Sequence, residues 1–457
     1  MMWHLSWFFA VAQQALGGTL ARRCGVGVFC VFAGPLALAQ ATHSNTAAWL
    51  ESGVVKTQSL PPDLTTLTEV VLRHNPALQA MALSEQQAVA GVTSARALPN
   101  PRIEFGQGAA SARAPGAIAG TVSTLGWSQP IENPWLRESR VRSSQSQRSV
   151  SYHHLQMMRL QLMAEVETLV YEYFWRRDTA QVYRQDLQVL EQVRERVRVK
   201  VDSGEAARYE LIKADAEVIN ARQRYQSAEV QAQQVLLSFN RLAAGQLLGL
   251  TGIQGSLDHP VDMNALVELQ DMAERRNPEL AALRSLLDRA RHMLDAARAQ
   301  RIPGLELRYS QTQDPQIRQD TWGVQLQIPL FDQRQGPIAE AQAEWVRAQT
   351  LLDGRSAELR HQLLQAWKAL EIARNKVSAL SSGAVRMAET ALQVAQAAYR
   401  FGERGILDVL DAQRILQSVR IDLLQARFEL QKARIEIETL SAQRIESTPS
   451  PNPKSMP

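Results

Sequence analysis

The chain is poor in the residues on which most chemistry depends. It has only two cysteines, Cys24 and Cys30, and aromatics make up 6% of its 457 residues. Both cysteines sit in an apolar leader, so the remainder of the chain has no disulfide framework and no thiol nucleophile. Beyond that leader no apolar run reaches the roughly 18 residues a membrane-spanning helix needs. Charge of one sign is also lacking. Lys and Arg total 50 against 46 Asp and Glu, interleaved along the chain, which leaves no field to hold nucleic acid or an anionic surface. No Gly-x-Ser-x-Gly, His-Glu-x-x-His, phosphate-binding loop or dinucleotide glycine pattern occurs. His153 and His154 are adjacent and diverge on a helix, while His74, His259, His292 and His361 are scattered, so no metal site is expected. No catalytic residue, cofactor or resident metal is predicted, and the chain is not expected to be an enzyme.

What is present favours export and long helices. Arg22 and Arg23 precede the apolar stretch from Cys24 to Leu36, and Ala37-Leu38-Ala39 supplies a small-x-small cleavage pattern, so residues 1–39 are expected to be a signal peptide. Removing them leaves 48 basic and 46 acidic residues, a net charge of +2. Residues 40–62 are expected to form an extended N-terminal segment. The Pro- and Ser-rich end at 443–457 is expected to be a disordered tail.

Between these ends the chain repeats itself. His74-Asn75-Pro76-Ala77-Leu78 is answered by Arg276-Asn277-Pro278-Glu279-Leu280, 202 positions on, and Pro101-Arg102-Ile103-Glu104-Phe105 by Pro303-Gly304-Leu305-Glu306-Leu307. Two copies of one unit are expected, at 63–250 and 263–442, joined by a linker at 251–262. Each should contain a helix, a β-hairpin and a long helical hairpin.

In the first helix, apolar residues fall at three- and four-residue spacing: Leu78, Met81, Ala82 and Ala88, then Leu280, Leu283, Leu287 and Leu294. The period then changes to two. Leu305, Leu307 and Tyr309 alternate with polar neighbours, as do Trp322, Val324, Leu326, Ile328 and Leu330. Ile103, Phe105, Leu125, Trp127 and Ile131 allow a matching pair. A soluble hairpin packed on helices would show the same alternation. Strands of about 9 to 11 residues with one apolar and one polar face also suit an oblique bilayer crossing, with Trp127 and Trp322 in the aromatic girdle. On that reading Trp127, Leu305, Leu307, Tyr309, Trp322, Val324, Leu326 and Ile328 face lipid. Four strands cannot close a membrane barrel, for which about eight are needed, so a spanning chain must oligomerise.

From Trp135 to Ser203 there is neither proline nor glycine, a length worth about 100 Å of helix. Leu187, Leu190, Val193 or Arg194, Val197 and Val201 recur at near-heptad spacing, and Ala388, Ala391, Ala395 and Ala398 make a narrow stripe for helix contact. Gly204 and Gly402 break these helices, and a second helix returns in each copy.

The run Tyr399-Arg400-Phe401-Gly402-Glu403-Arg404-Gly405-Ile406-Leu407-Asp408-Val409-Leu410-Asp411-Ala412-Gln413-Arg414 resembles the helical-hairpin return of the outer-membrane efflux ducts, the TolC family. Together with both Asn-Pro motifs and Pro99 to Phe105, the chain is most similar to the heavy-metal, CzcC-like branch. The resemblance implies a mainly α fold with a β-barrel part, in which four strands per chain close a twelve-stranded barrel as a homotrimer and the helices form a periplasmic tunnel. It implies an outer-membrane location, contact with lipid, a periplasmic adaptor (membrane fusion protein) and an inner-membrane pump of the RND type. It places a pore constriction at Asp408 and Asp411, and a gate latch at Tyr399, Arg404 and Glu210. Adaptor docking falls at the helical-tip turns Gly204, Glu205, Gly402, Glu403 and Gly405.

Asp408 and Asp411 are three residues apart, hence on one helix face, and threefold symmetry would gather six carboxylates around a pore that attracts cations. Asp408 equally suits a helix start. Heavy-metal cations are the expected cargo. The same duct exporting organic compounds or proteins is the first alternative, and a soluble coiled-coil adaptor the second.

Overall fold

The computed structural model describes residues 61–443 except 114, all within one compact unit. The signal peptide, nearly all of the extended N-terminal segment and the C-terminal tail lie outside the described residues.

The first half opens with α1 (Leu64–His74), whose first turn is capped by Asp63 accepting from the Thr66 amide. Next come α2 (Pro76–Arg96), β1 (Arg102–Ala110), β2 (Gly120–Ile131), the 69-residue α3 (Pro134–Asp202) and α4 (Arg208–Leu242). The second half runs α5 (Leu266–Arg276), α6 (Pro278–Ala299), β3 (Gly304–Gln313), β4 (Arg318–Gln327), α7 (Gln335–Ala379), α8 (Val385–Arg400) and α9 (Ile406–Leu440). At 1.5 Å per residue α3 is about 100 Å long. Its counterpart is not continuous. Leu380–Ala384 forms a π turn between α7 and α8, where the Ser381 and Ser382 hydroxyls donate to the Ser378 carbonyl and Gly383 lowers helix propensity.

The short helices α1 and α5, which the sequence pattern did not signal, occupy matching places. Leu67 and Val71 are fully buried against α3 and α4, and Leu269 and Ala273 pack among Leu359, Leu363 and Ile437 of α7 and α9. Each is followed by the Asn-Pro motif. Asn75 accepts from the Leu78 amide and donates to the Leu242 carbonyl, while Asn277 accepts from the Glu279 and Leu280 amides and donates to the Leu440 carbonyl. One side chain thus caps the next helix and satisfies a terminal carbonyl of the long return helix.

A third apolar cluster, of Leu190, Val193, Val197, Val218, Ile406, Val409 and Leu410, joins α3, α4 and α9 toward the tips, with Leu187 and Val201 packed on it. The expected alanine stripe needs one correction: Ala388 is buried, but Ala391 is exposed, and Leu392 packs on the cluster with Ala395. The larger side chain at the neighbouring position takes the contact.

The strands form one antiparallel sheet in the order β1-β2-β3-β4. The register pairs Ile103 with Trp127, Phe105 with Leu125, Trp127 with Tyr309, Ile131 with Leu305, Leu305 with Leu326, Leu307 with Val324 and Tyr309 with Trp322. Directly opposed residues share a face, so these side chains all lie on one side. Ile328 follows just after β4. The opposite side carries Glu104, Thr124, Ser128, Glu306, Arg308, Ser310 and Gln325. Phe105, Trp322 and Val324 are 71%, 77% and 66% exposed, so no described element covers the apolar face. Among the described residues nothing pairs with the outer edges of β1 and β4.

Candidate functional site

The tips of the two helical hairpins are built alike. At the end of α3 the Glu205 and Ala206 amides donate to the Lys200 carbonyl, at 2.8 and 3.1 Å, and Gly204 adopts φ +79°. At the end of α8 the Glu403 amide donates to the Ala398 carbonyl at 2.9 Å, with Gly402 at φ +76°. Both glycines supply the left-handed residue that terminates a helix, a conformation that side chains resist. Gly405 is different: its backbone is extended, and it precedes the first turn of α9, where the Asp408 amide donates to its carbonyl. Glu205 and Glu403 are exposed beside these turns.

The remaining tip residues fall into two groups. Arg404 reaches Asp408, one helical turn on, at 3.7 Å, and is not brought onto Glu210. Asp408 and Asp411 lie on the exposed side of α9, while Ile406, Val409 and Leu410 turn into the cluster. Tyr399 and Glu210 form the second group. Burial pushes the Tyr399 hydroxyl pKa up, and the Glu210 charge pushes it further. Yet the Tyr399 hydroxyl and Glu210 Oε2 are both shielded from solvent without a hydrogen-bond partner. Lys200 stands 4.3 Å over the Tyr399 ring and donates to its carbonyl at 3.4 Å.

Higher along the helices the structure holds a polar cluster that the sequence reading missed. Asp186 of α3 is 4% exposed and accepts from the Gln413 amide at 2.8 Å and from the Gln417 amide, both on α9. Arg224 of α4 donates to Gln417 at 2.9 Å and lies 3.7 Å from Glu217, which also receives Arg414 at 2.8 Å. Burial raises the Asp186 pKa despite the Gln413 hydrogen bond and the Arg224 charge. The available signal was positional: Asp186 continues the spacing of Leu190, Val193 and Val197, and Gln413 and Gln417 continue that of Ile406 and Leu410. Among the described residues no three His, Cys, Asp or Glu side chains are grouped to hold a metal ion.

Long paired helices that end in glycine-terminated tips and carry a four-stranded sheet with an uncovered apolar face define a protein of the outer-membrane channel kind. The outer membrane efflux protein family matches residues 67–245 and 269–443, and the chain belongs to that family. It is 24% identical over 351 residues to the cobalt-zinc-cadmium resistance protein CzcC of Cupriavidus metallidurans, covering 76% of this chain and 82% of that protein. It is 24% identical over 243 residues to the outer membrane protein TolC of Escherichia coli, covering 49% of this chain and 47% of that protein. The fold is similar to that of CusC, with TM-score 0.74 and 17% identity over 85% of this chain and 95% of that one. It is also similar to the open state of the MtrE outer membrane channel of Neisseria gonorrhoeae, with TM-score 0.71 and 17% identity over 83% of this chain and 89% of that one. The chain is thus an outer-membrane protein with a helical tunnel that extends into the periplasm, which sets aside the soluble-adaptor alternative.

Proposed function

We propose that the chain is the outer-membrane channel of a tripartite efflux system, passively conducting cargo delivered by an inner-membrane RND-type pump through a periplasmic adaptor. The observation that carries this reading is the sheet: Ile103, Phe105, Leu125, Trp127, Ile131, Leu305, Leu307, Tyr309, Trp322, Val324 and Leu326 share one face, Val122 lies on the other, and among the described residues neither edge is paired. An open edge in lipid leaves backbone groups unpaired. Three copies, edge to edge, close a twelve-stranded barrel with Trp127, Leu305, Leu307, Tyr309, Trp322, Val324, Leu326 and Ile328 toward lipid.

In that assembly Asp408 and Asp411 of three chains converge on the pore axis as a cation-attracting constriction. Tyr399, Glu210 and Arg404 hold the tip, and the turns at Gly204, Glu205, Gly402, Glu403 and Gly405 receive the adaptor. Heavy-metal cations are the cargo this reading favours, supported by the similarity to CzcC across most of both chains. Export of protein or organic compounds is the second reading. It is supported by 27% identity over 181 residues to the alkaline protease secretion protein AprF of Pseudomonas aeruginosa, which spans only 37% of this chain.

Deleting the chain from its host and measuring growth inhibition tests the cargo. Greater sensitivity to cobalt, zinc and cadmium salts supports metal efflux. Sensitivity confined to organic toxicants moves the cargo to the second reading, and no change in either removes the efflux role.

A further inference from the structure

Between α3 and α8, close to the tips, lies a cleft of about 340 Å³. Its apolar lining is Val193, Ile406 and Val409, all buried, with the largely exposed Val199 of α3 beside them. The Tyr399 ring closes one side. Three cations border it, Arg196 and Lys200 from α3 and Arg400 from α8, and no acid does. Among the described residues none of the three has a carboxylate partner, although their helix neighbours Arg194 and Arg198 are both paired with acids. Lys200 contacts the Tyr399 carbonyl and ring face, and among the described residues it forms no ion pair.

We propose that this cleft binds a small amphiphilic organic anion: an aromatic or medium-chain body carrying a single carboxylate or sulfonate. The volume lies at the lower end of the range for small-molecule sites, about 300–1,000 Å³, and such sites combine apolar walls with a few convergent polar groups. The apolar body gains by leaving water. The headgroup meets three cations, two of them guanidinium forks suited to paired contact with a carboxylate or sulfonate. A metal cation is repelled by the same rim, so the site is separate from the cargo reading, and a neutral apolar molecule would leave the three charges unanswered.

The test uses the full-length protein in lipid nanodiscs, titrated by calorimetry with 2-naphthalenesulfonate, with empty nanodiscs subtracted and the neutral 2-naphthalenemethanol as comparison. Saturable binding of one sulfonate per chain is expected, with the neutral compound at least about tenfold weaker. Replacing the three cations together, R196Q/K200Q/R400Q, should weaken the sulfonate about tenfold, as three screened rim charges would. Gln396 also lines the cleft, and Gln396→Trp should fill it and abolish binding with every cation retained. No saturable binding overturns the proposal, as does unchanged affinity in the triple variant. Unchanged affinity in Gln396→Trp also overturns it, because the cations would then be acting as surface charge without the cleft.

Discussion

Asn75 donates its side-chain amide to the carbonyl of Leu242, 3.0 Å away and 167 positions further along the chain. Asn277 does the same for Leu440. The motif that is conspicuous in the sequence as a helix-starting Asn-Pro is therefore also a clamp on the end of the long return helix.

That double role predicts a graded pair of variants. Asn75→Ala removes the cap and leaves a buried carbonyl unsatisfied, a loss of about 2 kcal/mol. Asn75→Ser retains a capping oxygen but is too short to reach Leu242, and should lose about half as much. Thermal unfolding followed by helical circular dichroism measures both. A serine variant as stable as the wild type would remove the clamp to Leu242 from the account.

Asp186 predicts a pH dependence. Burial raises its pKa in the folded chain, so the folded state holds the proton more tightly than the unfolded state does. Its contribution is fully present below the unfolded carboxylate pKa and is lost as pH rises through the raised value. The groups facing it are Gln413 and Gln417 of α9 and Arg224 and Glu217 of α4. Asp186→Asn should flatten this part of the profile in denaturant midpoints taken across a pH series. An identical slope in wild type and variant would assign the dependence to other groups.

The tip residues should separate stability from gating. Arg404 and Asp408 are both largely exposed, and such a pair contributes under about 1 kcal/mol. Among the described residues the Tyr399 hydroxyl is shielded from solvent without a hydrogen-bond partner, so Tyr399→Phe should not destabilise the chain and should raise its stability by about 1 kcal/mol. If these residues hold the tip closed in the assembly, Arg404→Ser should raise resting conductance in planar bilayers with little change in melting. Unaltered conductance would leave Arg404 as a helix-start residue.

Asp408 and Asp411 make a separate prediction in the same apparatus. Replacing both by Ala should weaken the block of single-channel current by divalent cations, since a ring of like carboxylates is relieved by bound counter-ions. Block of equal strength in the variant would place the two carboxylates away from the constriction.

Local patterns made much of this legible in the sequence. Alternation at Leu305 to Tyr309 and Trp322 to Ile328 predicted strands, and the register sets those residues on one face because pleating repeats every two residues. The absence of Gly and Pro between Trp135 and Ser203 predicted α3 almost to the residue. Features that depend on contacts between distant segments did not show. The helices α1 and α5 are too short for periodicity to declare, and the π turn depends on how Ser381 and Ser382 use the Ser378 carbonyl. Asp186 meets Gln413 across 227 positions, so its burial could be read only from a polar residue standing in an apolar stripe. The cleft between Arg196 and Arg400 needed both helices in place before its bordering cations could be seen together.

The central claim is that the uncovered sheet face and the outer edges of β1 and β4 are completed by lipid and by two further copies. Native mass spectrometry of the protein released from detergent micelles measures this directly. A trimer that disperses only with detergent or lipid present is the expected result, and a monomer stable in buffer without either would contradict it.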